Sequence, residues 1–138
     1  MYRISVPVTN WFPNRTLDRE ATLAELRRVG ATRVWLCSAR GIEGETRLAE
    51  EERLLIENRT FFEQSGLEVG VWICSLGHGG ALIQDDPDAL RNAGKYRRMV
   101  GMNGTTCDDT FCPSDEAFVR DYADWVGRIA ATGAKLIM

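Results

Sequence analysis

Three times along the chain an amphipathic stretch closes on glycine and is followed, two or three residues later, by an apolar run rich in β-formers. The segments are LAELRRVGATRVWLCS, FFEQSGLEVGVWICS and VGRIAATGAKLIM. Gly30, Gly66 and Gly133 stand where a helix ends in the left-handed conformation that a residue without Cβ adopts cheaply, so each marks a helix stop. Each unit reads helix, tight turn, strand, and the opening run over 2–9 adds a strand ahead of the first helix. The runs VWLCS and VWICS lack the alternation of a half-solvated antiparallel sheet, which predicts parallel strands buried on both faces.

The helical stretches carry the matching period. Phe118, Tyr122, Trp125 and Ile129 are spaced four, three and four, one stripe of a helix that opens with Ser114, Asp115 and Glu116. Over 46–65, Leu48, Leu55 and Phe62 recur every seven residues, with Leu54 and Phe61 widening the face. Leu23, Leu26 and Val29 form a weaker stripe in the first helix. All of these are core positions, and Trp35 belongs with them.

The connection after the third strand departs from the repeat. Residues 76–112 read LGHGGALIQDDPDALRNAGKYRRMVGMNGTTCDDTFC, far beyond the roughly 2–6 residues usual for such a loop. Two β-prone stretches around MNG predict a β-hairpin within it. The first three strands begin about 30 to 35 residues apart, the spacing of βα units in a barrel or a doubly wound sheet. TNWFPNRTLDRE, after the first strand, holds no glycine-rich nucleotide turn, and no phosphate loop of the Walker type occurs.

A complete eight-stranded barrel takes about 250 residues, and this chain has 138, with AKLIM as its last run. The expected fold is therefore α/β: the N-terminal half of a TIM (β/α)8 barrel, with four parallel strands, three helices and a long hairpin-containing loop after strand three. Residues 1–138 are expected to form one half-barrel, a piece of a larger catalytic domain. The alternative is a small complete α/β domain with its fourth strand at an edge.

Charge narrows the function classes. A net charge of -3 and a pI near 5.2 give no long-range attraction for a phosphate backbone or an anionic bilayer. No apolar run approaches the roughly 20 residues needed to span a membrane. MYRISVPVTN suits a strand rather than a signal peptide. The expectation is a cytoplasmic protein, with neither nucleic acid nor membrane as partner, and with Cys107 and Cys112 as thiols rather than a disulfide.

Parallel α/β proteins build their sites from the loops at the carboxyl ends of the strands. That rule selects Asn10 and Trp11 after strand one, and His78, Asn103 and Asp109 in the long excursion, as candidate substrate contacts. His78 is the single histidine and lies among glycines. Trp11, and less strongly Trp72, offer flat apolar faces on which a sugar stacks. Cys37, Cys74, Cys107 and Cys112 with His78 lack the paired C-x2-C spacing of a zinc site, so no metal and no cofactor is expected. The carboxylates Glu43, Glu45, Asp108, Asp109 and Asp115 lie near the same edge, but spacing alone assigns none of them to catalysis. The run EGETRLAEEER reads as a solvated helix face.

GLEVGVWICSLGHGG and NGTTCDDTFCPSDEAFVRDYADWVGRIAATGAKLIM together resemble the N-terminal half of bacterial glycoside-hydrolase-like (β/α)8-barrel proteins. The resemblance implies an enzyme acting on carbohydrate, in which acids at the ends of later strands carry the hydrolysis. This chain would then supply substrate contacts and be inactive alone. A non-catalytic carbohydrate-recognition or assembly module is the alternative, and an isomerase or aldolase barrel for phosphorylated metabolites is a weaker third. The exposed edges of strands one and four in a half-barrel further imply a homodimer.

Overall fold

A computed structural model describes residues 3–10, 17–38, 44–73 and 94–138, without the side chains of Asp108 and Asp109. The elements are β1 (Ser5–Thr9), α1 (Arg19–Arg28), β2 (Arg33–Cys37), α2 (Glu45–Gln64), β3 (Glu68–Trp72), β4 (Arg98–Val100), β5 (Thr106–Phe111) and α3 (Glu116–Ala131). They divide between two compact units. The first comprises Met1–Ser38, Glu50–Ile73 and Ile129–Met138, and the second Ala39–Ala49 and Cys74–Arg128.

The first unit holds a parallel sheet in the order β1-β2-β3. Asp18 caps α1 by accepting from the Ala21 N–H at 2.9 Å, and Gly30, at φ 69°, ends it. Val29, expected on the buried stripe, is instead 43% exposed at that helix end. On α2, Leu55 and Phe62 are 1% and 0% exposed. They share the core with Leu23, Leu26, Val34, Leu36, Val69 and Val71.

The four-stranded half-barrel is not what forms. The described residues make three parallel strands and a separate antiparallel pair. The run expected as a fourth strand contributes a single parallel bridge, Ile137 to Val71. Three backbone bonds hold it: Val71 N–H to Leu136 O at 2.8 Å, and Met138 N–H to Val71 O and Ile73 N–H to Met138 O, both at 3.0 Å. That contact has the parallel sense of a next strand, but it is an isolated bridge rather than a ladder.

Burial on both strand faces fails as well. Val34 and Leu36 are in register with Val69 and Val71 and are buried. The alternate set on β2 and β3, Arg33, Trp35 and Cys37 against Glu68, Gly70 and Trp72, is half-buried or exposed apart from Gly70. Gly70 is covered by the Trp35 indole: a Cβ at that position would come within 2.2 Å of Trp35 Cζ3.

The β1 edge has its own limit. Ile4 O accepts from Thr32 and Arg33, and Asn10 N–H donates to Cys37 O, so even-numbered residues of β1 face β2 and Ser5, Pro7 and Thr9 face outward. Pro7 has no N–H to offer there, which blunts the edge through which a homodimer was expected to pair.

The second unit contains the expected hairpin. β4 and β5 pair antiparallel, Arg98 with Phe111 and Val100 with Thr106, with a bulge between. Its turn is closed by Gly101 N–H to Thr105 O at 2.8 Å and by Gly104 at φ 80°. Tyr96 and Phe111 meet Phe118 of α3 with ring centroids 5.7 and 5.2 Å away, and Tyr122 and Trp125 extend the cluster. Asp115 joins helix to hairpin, accepting from Phe118 N–H at 3.0 Å through one oxygen and from Arg97 N–H at 2.9 Å through the other.

Candidate functional site at the carboxyl edge of the parallel sheet

Asn10 leaves β1 at the carboxyl edge and is 1% exposed. Its side chain is spent on α2. Oδ1 accepts from Asn58 Nδ2 at 2.9 Å, and Nδ2 donates to the Glu51 carbonyl at 3.4 Å. Asn58 is also 1% exposed, and its own Oδ1 accepts from Arg19 Nε at 2.7 Å. Arg19 NH2 then reaches Glu57 at 2.6 Å and holds that carboxyl below its ordinary pKa. Two buried amides are thus oriented from both ends, so the main chain where β1 ends is fixed.

Around this pair lie the other groups of the edge. Glu51, on the same helix, is 3% exposed, in contrast to the solvated face expected for its segment. Ser38, the residue after β2, is 8% exposed, its N–H donating to Trp72 O at 2.9 Å. Its buried hydroxyl finds no hydrogen-bond partner among the described residues. The two amides are consumed by each other, by the Glu51 carbonyl and by Arg19, which leaves the Ser38 hydroxyl as the group just beyond a strand end that still has hydrogen-bonding capacity for a neutral polyhydroxylated ligand.

A groove of about 540 Å³ opens beside Arg19, Arg53, Leu54, Glu57 and Phe61. Its charges are engaged with one another: Arg53 pairs with Glu50 at 2.7 Å and also with Glu57, which Arg19 holds from its other side. Glu20 and the α1 cap Asp18 add two further carboxylates to its rim, so the groove carries no uncompensated positive charge for an anionic ligand.

Of the residues selected from the sequence, Asn10 stands at this edge as a structural amide. Trp11 and His78 lie outside the described residues. Asn103 belongs to the second unit, where it is exposed and its Oδ1 accepts from Thr105 N–H at 3.1 Å across the hairpin turn. Asp109 falls in β5 of that unit, its side chain outside the described set. Cys37, Cys107 and Cys112 form no disulfide, and Cys74 is not among the described residues. Among those residues no three His, Cys, Asp or Glu side chains gather as a metal site.

Glu51 and Asn58 were missed. A signal for both existed, because Leu48, Glu51, Leu55, Asn58 and Phe62 are spaced three, four, three and four. Polar residues on a buried helical stripe require partners. Ser38 was marked by its place, as the first residue after the second strand on the site face, but its burial depends on neighbours in space and it was not selected as a contact.

No protein-family model matches the chain, and no curated protein matches it. No helix among the described residues is long and apolar enough to cross a membrane.

Proposed function

We propose that this chain is a carbohydrate-handling protein of glycoside-hydrolase type that supplies substrate contacts from the carboxyl edge of its parallel sheet. The observation that carries the reading is the pair of buried groups at this edge. They are the Glu51 side chain, on the helix whose Glu51 carbonyl accepts from Asn10, and the Ser38 hydroxyl just after β2, which finds no hydrogen-bond partner among the described residues. Sugar hydroxyls are neutral donors and acceptors, which such a set matches without a compensating charge. Hydrolysis of a glycosidic bond requires two carboxyl groups about 5 to 9.5 Å apart. Among the described residues this edge carries one buried carboxylate, half of that pair, so binding is the activity we assign to the chain, and turnover is not. The cytoplasm is the compartment we propose for it.

Calorimetric titration of the intact chain with neutral oligosaccharides tests the reading. Saturable binding that Glu51→Gln weakens about tenfold supports it. Absence of binding at millimolar ligand overturns it. If the bare chain hydrolyses an aryl glycoside, the assignment of binding without turnover is wrong instead.

A further inference from the structure

The second face of the β1-β2-β3 sheet, opposite the helices' core, has no place in the edge site. Its residues are Ser5, Pro7 and Thr9 of β1, Arg33, Trp35 and Cys37 of β2, and Glu68, Gly70 and Trp72 of β3. Trp72 is 42% exposed. Trp35 lies across Gly70 so closely that any Cβ would meet three of its ring atoms, at 2.2, 2.5 and 2.9 Å. Gly70 is not among the glycines with positive φ, so the backbone does not require a glycine there. The ring does. Glycine at this place lets an indole lie against the strand.

In the β2–β3 register Trp35 is opposite Gly70 and Cys37 is opposite Trp72. The two tryptophans are therefore diagonal neighbours on one face, their Cα atoms about 8 Å apart for strands about 4.8 Å apart and a two-residue rise of about 6.6 Å. Arg33, bonded to Glu68 at 2.8 Å through Nε, has its guanidinium carbon 5.5 Å from the Trp35 ring centroid. Thr9 and Ser5 border the pair along β1. The face is thus two indoles with a rim of hydroxyls and a neutralised ion pair.

Its size selects the occupant. Three strands about 4.8 Å apart and five residues rising about 3.3 Å each span roughly 230 Å², against about 800 Å² per partner in a stable protein interface. A second copy of the chain is too large an occupant for so small a face, and a strongly charged ligand finds Arg33 and Glu68 already paired. We propose that Trp35 and Trp72 form a stacking platform for consecutive rings of a short neutral oligosaccharide, whose C–H faces lie on the indoles while hydroxyls reach the rim. This rests on the carbohydrate reading above and assigns the ligand a second set of contacts.

The test uses the intact chain titrated with cellohexaose, xylohexaose and maltohexaose, followed by calorimetry and tryptophan fluorescence, with circular dichroism to verify folding. Trp72→Ala, at an exposed position, is expected to weaken binding about tenfold. Gly70→Ala, which keeps both tryptophans but forces Trp35 off the strand, is expected to weaken it several-fold and to red-shift the emission. If the wild type binds and both variants bind equally well, the platform is wrong while the carbohydrate reading stands. If the wild type binds none of the probes, both fall together. If Trp72→Ala converts a dimer into a monomer in sedimentation velocity, the face is an interface between copies, and the platform is overturned.

Discussion

The two units are held by different physics. In the first, apolar and mostly aliphatic side chains from β2, β3 and two helices form the core: Val34, Leu36, Leu55, Phe62 and Val71 are all at or below 1% exposure. In the second, a hairpin of only two strands, marginal by itself, is secured by aromatic rings at centroid distances near 5 Å and by two aspartates, Asp115 and Asp121. Burial that depends on volume is insensitive to pH, whereas packing fixed by carboxylates is not. The first unit should therefore respond mainly to cavities, and the second to lost rings, lost caps and acid.

The largest expected effect is in the first unit. Phe62→Ala removes a ring that is 0% exposed and should cost about 4 kcal/mol in urea denaturation. Leu36→Met, which conserves volume, should cost less than about 1.5 kcal/mol. A smaller loss for Phe62→Ala than for Leu36→Met would break the contrast. In the second unit Phe118→Leu keeps most of the volume but loses ring contacts to Tyr96, Phe111 and Tyr122. A loss of about 2 kcal/mol is expected there, with the near-ultraviolet dichroism of Tyr96 and Trp125 reduced.

Those contrasts follow lines that the sequence partly displayed. Gly30, Gly66 and Gly133 all adopt positive φ at helix ends as expected, because a C-terminal stop is a local event written in one residue. The stripes of α2 and α3 were legible for the same reason. The number of strands was not. Residues 136–138 have the composition of a buried strand, yet they form one bridge, and pairing length is decided by partners distant in the chain. VWLCS and VWICS suggested burial on both faces, whereas one face carries exposed Trp72 and half-buried Trp35; composition cannot say whether anything covers a tryptophan. At the carboxyl edge, Asn10 was selected for its place after β1, but its amide is consumed by Asn58, a partner 48 residues away. Glu51 was overlooked because four of its neighbours in EGETRLAEEER are also acidic, and its stripe was read for apolar residues alone.

A middle-sized effect separates the cap of α3 from ordinary surface charge. Asp115 accepts from two backbone N–H groups, those of Phe118 and Arg97. These bonds hold its carboxyl below the usual carboxylate pKa, the Arg97 backbone contribution being the largest. Asp115→Ala should cost about 1 to 2 kcal/mol, and Asp115→Asn, which retains one acceptor, about half as much. Glu25→Ala, removing an exposed pair with Arg28, should be neutral within a few tenths of a kcal/mol. Equal losses from Asp115→Ala and Glu25→Ala in thermal melts would mean that the cap contributes no more than a surface ion pair.

The smallest effect tests the contrast by pH alone. Asp121 accepts from Tyr96 Oη at 2.8 Å and is in contact with Lys95 and, at 3.0 Å, Arg120. These contacts, led by Lys95 and then Tyr96, depress its pKa from 3.8 to about 2. A carboxyl whose folded pKa lies below its unfolded value binds fewer protons in the folded state. Its stabilisation is therefore complete above about pH 3.8 and is lost as pH falls toward 2. Burial and the same Asp121 carboxylate raise the Tyr96 phenol well above its ordinary pKa, so this pair contributes no change between neutral pH and pH 5. The contribution is about 1 kcal/mol once screening at a partly exposed site is allowed for. Acid titration should therefore diminish the near-ultraviolet signal of Tyr96 between pH 4 and 2, and Asp121→Asn should remove most of that dependence. The emission of Trp35, a residue of the first unit, should not share the Asp121-dependent part of the transition. If it follows the same midpoint and shifts equally in the Asp121 variant, the acid response belongs to the chain as a whole and the division between volume-held and carboxylate-held packing is wrong.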